Sequence, residues 1–358
     1  MEYAALLALT VLGLTAGLFV DSSDDDDDTD SSTDSGGTDS GGTDTGGTDT
    51  NSDGLVTSDG VTFGTEGGDS ITAAEGGDTV VGAGGDDEIT GNSNDNILDG
   101  QIGDDSVFGG GGDDQVFGSE GNDSVDGNSG DDLVAGGTGN DLLYGGIGDD
   151  TLFGDAGDDL IDGQEDNDEL VGGDGNDTMF GGDGSDTLFG GEGNDSIMDG
   201  EGDDLLFGGA GADTLDGGSG DDQLFGIWDG DNDDIVNARD LDDPDVLLGG
   251  EGNDDVQMGS GDVAFGEGGD DIFYTGTWVD PDNAPLIMDL EADEVVIVSV
   301  PVGASAGGDV TIETDSTSGD SLVQFSGQTV AVVSAGAGPV SLDQILVVES
   351  ITIAQAAV

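Results

Sequence analysis

The chain has 358 residues, enough for about two or three globular domains, yet 84 Asp and Glu stand against a single Lys or Arg, for a formal net charge of −83. Glycine supplies 73 residues, while histidine and cysteine are absent; this removes the usual general base, the commonest zinc ligand, disulfides and thiolate chemistry. So acidic a surface repels nucleic-acid phosphates and anionic lipid head groups, leaving hard cations as the natural partners and no role for nucleic acid.

Residues 1–20 hold an uncharged apolar run from Tyr3 to Val20, near the lower length limit for a membrane-spanning helix. Glu2 is the wrong charge for a signal-peptide n-region, and no A-x-A cleavage site is present after the run. No basic flank is present for the positive-inside rule to read. On length and isolation the run reads as a hydrophobic export or membrane-anchor segment. Residues 21–60 open with Asp24 to Asp28 and continue with GGTDS and GGTDT units between Gly36 and Thr50. With no large apolar residue before Leu55 and Val56, this stretch reads as an acidic disordered linker. On that reading no room is left for a catalytic domain ahead of Gly64.

From Gly64 to Phe225 the chain repeats every nine residues, eighteen times, without insertion or deletion. Gly136–Tyr144 (GGTGNDLLY), Gly172–Phe180 (GGDGNDTMF) and Gly217–Phe225 (GGSGDDQLF) are good examples. The sixth position is Asp in seventeen units and Asn96 in the other, and the eighth is apolar in all eighteen, from Ile71 to Leu224. Two such columns identify a repeat architecture. Glycines at positions one, two and four suit a tight turn over the first six residues, and x-apolar-x suits a very short strand with its middle side chain facing inward. Each unit reverses the chain, so eighteen residues return it one layer higher. The prediction is an all-β parallel β-roll, a β-helix-like solenoid with two parallel sheets, the eighth-position residues between them and the sixth-position residues along both edges. Eighteen aliphatic side chains are too few to offset the ordering entropy of 162 residues, and stacked carboxylates repel. Bound cations must supply the difference. The turns offer only carboxylate and carbonyl oxygens, which suit Ca²⁺ better than the stricter Mg²⁺.

These nonapeptides resemble the RTX, or hemolysin-type calcium-binding, repeat family, whose motif is GGxGxDxUx. In that family the sixth-position Asp and carbonyls of the glycine-rich turns, from successive layers on one edge, hold each ion. The resemblance implies as ligands Asp69, Asp78, Asp87, Asp105, Asp114, Asp123, Asp132, Asp141, Asp150, Asp159, Asp168, Asp177, Asp186, Asp195, Asp204, Asp213 and Asp222, with a weaker ion beside Asn96. Eight gaps on each edge allow up to about sixteen Ca²⁺.

Two other columns carry alternatives. The fifth position is mostly Asp or Asn and serves either as a second ligand or, more simply, as a turn former. The ninth position on alternate units reads Phe117, Ala135, Phe153, Val171, Phe189, Phe207 and Phe225. This outward stripe is either cross-strand stacking or a docking surface for a protein or cell-surface partner. After Phe225 an irregular insertion, Ile227–Pro244, contains Arg239, and repeats resume loosely around Asp245, Asp254 and Asp271 within a roll domain of 61–275.

Residues 276–358 are poorer in acids and richer in Val, Ile, Ser and Thr. The runs 295–300, 309–313, 322–325, 329–333 and 344–348 read as antiparallel strands of a C-terminal β cap. Ile287–Ile297 (IMDLEADEVVI) looks like the segment that closes RTX rolls in exported proteins, which carry an uncleaved type I secretion signal in their last residues. The composite expectation is a secreted, extracellular or cell-surface calcium-binding RTX protein, folding on external Ca²⁺ and serving a structural, surface or adhesion role rather than a catalytic one. The alternative is an extracellular carbohydrate-active or other hydrolytic enzyme working through Asp and Glu carboxylates.

Overall fold

The computed structural model describes residues 49–50, 56–58, 60–74, 76–226, 244–276, 279–300, 310–337 and 340–349. The export or anchor segment 1–20, nearly all of the insertion with Arg239 and the last nine residues lie outside them. Among the described residues no helix is long and apolar enough to cross a membrane.

Among the described residues there are two sheets, of sixteen and fifteen strands, and successive strands through the repeats alternate between them. Each strand pairs in parallel with the one eighteen residues away, as in Leu143↔Ile161 and Leu152↔Leu170. All eighteen eighth-position side chains lie between the sheets at 1% exposure or less. Small and medium aliphatics suit this slot because each has only a strand's width of space between two backbones. The strands are longer than the sequence pattern suggests. Thr178–Asp183 is typical: it carries the last three positions of one unit and the first three of the next, because the backbone keeps pairing past the first glycine and only positions four to six make the turn.

Position two explains much of the glycine demand. Gly137, Gly146, Gly173 and Gly182 take φ between 108° and 123° there, but Ala83, Gln101, Ser119, Asn128, Asp155 and Gln164 hold the same left-handed conformation with side chains attached. Those six positions are strained.

The roll does not end where the perfect repeat does. Leu215 pairs with Leu247 and Leu224 with Val256, a step of 32 residues in place of 18, and the ladder resumes in phase. The next step is 17, as in Leu247↔Ala264 and Val256↔Phe273. Two of the five strands expected to be antiparallel belong to this same ladder. Val295–Val300 pairs in parallel with both Ile272–Gly276 and Ile345–Glu349. Only Val310–Thr314, Ser321–Phe325 and Gln328–Val333 form an antiparallel meander, whose Val323, Phe325, Val330 and Val333 extend the core. Period-two alternation marks a strand but is blind to the direction of its partner. At the other end, Asp49–Thr50 and Val56–Ser58 lie inside the stretch read as linker, yet they pair antiparallel ahead of Val61–Phe63.

In the ion-loaded protein, Gln164→Gly is expected to raise stability by about 1 kcal/mol by relieving left-handed strain. Leu170→Ala should lower it by about 2–5 kcal/mol through loss of a fully buried side chain. Urea denaturation followed by circular dichroism checks both signs.

Candidate metal centre

Each turn closes on its sixth residue, and layer stacking sets those residues in two columns, one per edge of the roll. Asp69, Asp87, Asp105, Asp123, Asp141, Asp159, Asp177, Asp195 and Asp213 make one. Asp78, Asn96, Asp114, Asp132, Asp150, Asp168, Asp186, Asp204 and Asp222 make the other. From Asp87 onward these side chains are buried. The backbone N–H of each aspartate but Asp78 donates to Oδ1 of the aspartate one layer further along the chain: Asp87 to Asp105 at 2.7 Å, Asp168 to Asp186 at 2.7 Å, Asp204 to Asp222 at 2.9 Å.

That ladder uses one oxygen of each carboxylate. In fifteen of the seventeen predicted aspartates, all but Asp69 and Asp78, Oδ2 is buried with no hydrogen-bond donor. A buried carboxylate oxygen left in this state is costly. The same oxygens face the first glycine of their own unit. A methyl group added to Gly109 would sit 2.6 Å from the Gly127 carbonyl oxygen and 2.7 Å from Asp114 Oδ2; one on Gly172 would collide with Asp177 Oδ2. Glycine at position one therefore keeps open a space lined by a carboxylate oxygen and a carbonyl oxygen of the next layer.

The start of each column differs. Asp69 Oδ2 accepts the Thr65 N–H at 2.6 Å and its hydroxyl at 2.9 Å, and Asp78 is half-buried. Asn96 turns its Oδ1 to the Asn92 N–H at 2.9 Å, and its Nδ2 is left without an acceptor. Fifth-position side chains make a separate, exposed ladder. Asp104 Oδ1 accepts the Asn122 N–H at 2.9 Å and Asp158 Oδ1 the Asn176 N–H at 2.9 Å, so at these positions the side chain ties one turn to the next.

The columns run beyond the seventeen. Asp245, Asp254, Asp262 and Asp271 continue them, with Asp213 donating to Asp245 and Asp222 to Asp254 across the insertion. The sequence signal for Asp254 and Asp271 was an acid two residues before a buried apolar side chain. Asp262 stands in the same relation to Ala264, a core residue too small to mark its position in the sequence.

The family model described as the RTX calcium-binding nonapeptide repeat (4 copies) matches residues 63–98, 90–125, 126–161, 162–197, 189–224 and 238–262. These segments cover more than half of the chain. The chain belongs to this family. No curated protein matches it.

The donor set of the RTX roll fits calcium on the geometry above: orphaned carboxylate oxygens, neighbouring carbonyls and a space that only glycine leaves free. Magnesium, which holds its waters in a strict octahedron, is a poorer match. On the outer face, Phe189, Phe207 and Phe225 stack with ring centroids 4.7 and 4.6 Å apart.

Electrostatics track burial. Desolvation, with the adjacent carboxylates adding to it, outweighs the backbone N–H and pushes Asp105 and Asp114 up to about 6, Asp123, Asp132, Asp150 and Asp159 to about 7, and Asp168 to about 8. Exposed Asp104 and Asp158 move the other way, lowered by the N–H groups they accept. In calcium-stripped protein the buried carboxylates take up protons on folding, so their contribution favours the roll below their ordinary value of 3.8 and is lost as pH rises through about 6 to 8. Circular dichroism of stripped protein should show β-structure near about pH 4 and coil by about pH 8, and calcium at the higher pH should restore the β signal.

Proposed function

We propose that this RTX protein is an exported calcium-binding β-roll that stays unfolded in a low-calcium cytosol and folds on meeting calcium outside the cell, where it acts as a structural, surface or adhesion component. The observation that carries this reading is the double column of buried carboxylates, each with one oxygen lacking a donor. Without a cation these groups oppose folding; with one they bind each layer to the next. Extracellular modules hold Ca²⁺ at roughly 10⁻⁴–10⁻³ M, which matches a switch thrown by export. Because the gaps recur along both edges, up to about sixteen ions are expected along the perfect repeat, through the seventeen aspartates named above.

A non-catalytic role is supported by the sameness of the sixth-position carboxylates from layer to layer. A hydrolase needs one pair set apart in a cleft, with unlike environments to separate acid from base. Residues 1–20 are assigned to export or membrane anchoring and 21–60 to a linker, with the type I signal in the C-terminal residues. The stacked phenylalanines offer a partner or surface-docking face.

Full-length protein titrated with Ca²⁺, with Mg²⁺ as control, should pass cooperatively from coil to β by far-UV circular dichroism. A β spectrum indifferent to chelator would overturn the folding switch. Fractionation of expressing cells should place the protein outside or on the surface, and release of only the 1–20 deletion would assign that segment as the anchor.

A further inference from the structure

We propose that Asp199 builds a calcium site unlike the others on the roll, a three-carboxylate site with Asp186 and Asp204 that fills before the rest. This inference rests on the calcium-binding reading above and adds to it an order of filling.

Position one is glycine in sixteen of the eighteen units; the exceptions are Ala73 and Asp199. Asp199 therefore puts a charged side chain where the repeat otherwise leaves a space. That side chain is 5% exposed, and neither of its oxygens has a hydrogen-bond partner. It points back toward the preceding layer, where a Cβ on Gly181 would collide with Asp199 Oδ1 and lie 2.7 Å from Asp186 Oδ2. Asp186 and Asp204 are neighbours in the edge column, joined by an N–H to Oδ1 bond of 2.9 Å, and the Oδ2 of each is buried without a donor. One oxygen from each of the three residues lies within 4.8 Å of the others, and all three residues are buried.

An ordinary gap in the column is faced by two carboxylates and neutral carbonyls. Here a third carboxylate enters, and the local charge changes from −2 to −3. Affinity for Ca²⁺ rises with the number of charged ligands in a rigid site; Asp199 lies in Ser196–Glu201, which pairs in parallel with Thr178–Asp183, and Asp186 and Asp204 immediately precede Thr187–Glu192 and Leu205–Ala210, which also pair in parallel. The same charge fixes the penalty without metal: three carboxylates repel one another in a space that excludes water. So Asp199 strengthens the calcium-loaded roll and weakens the calcium-free one. A trivalent lanthanide, which balances three carboxylates, should discriminate in favour of this gap even more than Ca²⁺.

The test compares the full chain with Asp199→Gly, which restores the residue of sixteen other units, and with Asp199→Asn, which keeps the volume and removes the charge. Calcium binding is read by isothermal titration, and Tb³⁺ occupancy by its luminescence lifetime. The wild-type chain should show one ion bound at least about tenfold tighter than the remainder. Both variants should lose that step and keep the rest of the isotherm. Identical isotherms for all three proteins would overturn the three-carboxylate site while leaving the roll-wide calcium reading intact. No calcium binding by the wild-type chain would overturn that wider reading and this site with it. If Asp199→Gly fails to reach the β spectrum at saturating calcium, Asp199→Asn decides: loss of the tight step supports the site, and its retention overturns it.

Discussion

Everything in this roll depends on the burial of like charges in line. A protein interior normally admits a carboxylate only with a partner that neutralises it or saturates its lone pairs. Here, in fifteen of the sixth-position aspartates, one oxygen accepts a backbone N–H from the preceding layer, while the other is buried without a donor. The aliphatic core is a single file of side chains one residue deep. With so little apolar burial to offset the carboxylates, the proposed calcium switch would make stability a property of protein and ion together.

The arrangement also separates two kinds of acidic residue that look alike in composition. Asp158 and Asp159 are adjacent, yet one hands its oxygen to a backbone N–H in solvent and has its pKa lowered, while the other is buried and has its pKa raised to about 7. The alternation of in and out along a chain does for aspartate here what it does for valine in an ordinary strand. Net charge is thus a poor guide to function in this chain until it is divided by position: the fifth-position groups tie one turn to the next, and most sixth-position groups are buried with one oxygen unmet.

Most of the architecture was legible because a nine-residue period with two invariant requirements admits few folds. The eighteen-residue layer, the inward eighth position and the two edge columns all derive from it. Less legible were features that the period does not govern. Strand length depends on backbone pairing that survives the first glycine, and no side chain announces it. The parallel direction of Val295–Val300 and Ile345–Glu349 depends on which neighbour is already in place. Asp262 escaped notice because the core residue it precedes is only Ala264. Asp199 was hidden for the opposite reason: it lies in perfect phase, in a column read for its glycines, and only packing shows that its carboxylate turns toward two others.

The ladders on either side of residues 227–243 stay in phase although one layer step there takes 32 residues in place of 18. A turn on the edge of such a roll is therefore a place where chain can be added without renegotiating any contact elsewhere, since each layer answers only to the layers above and below it. Duplication of whole layers is tolerated for the same reason. Proteins built this way can lengthen or shorten by copying and deleting short stretches of gene, and can acquire decorations at their corners, while the rule that holds one layer to the next stays unchanged.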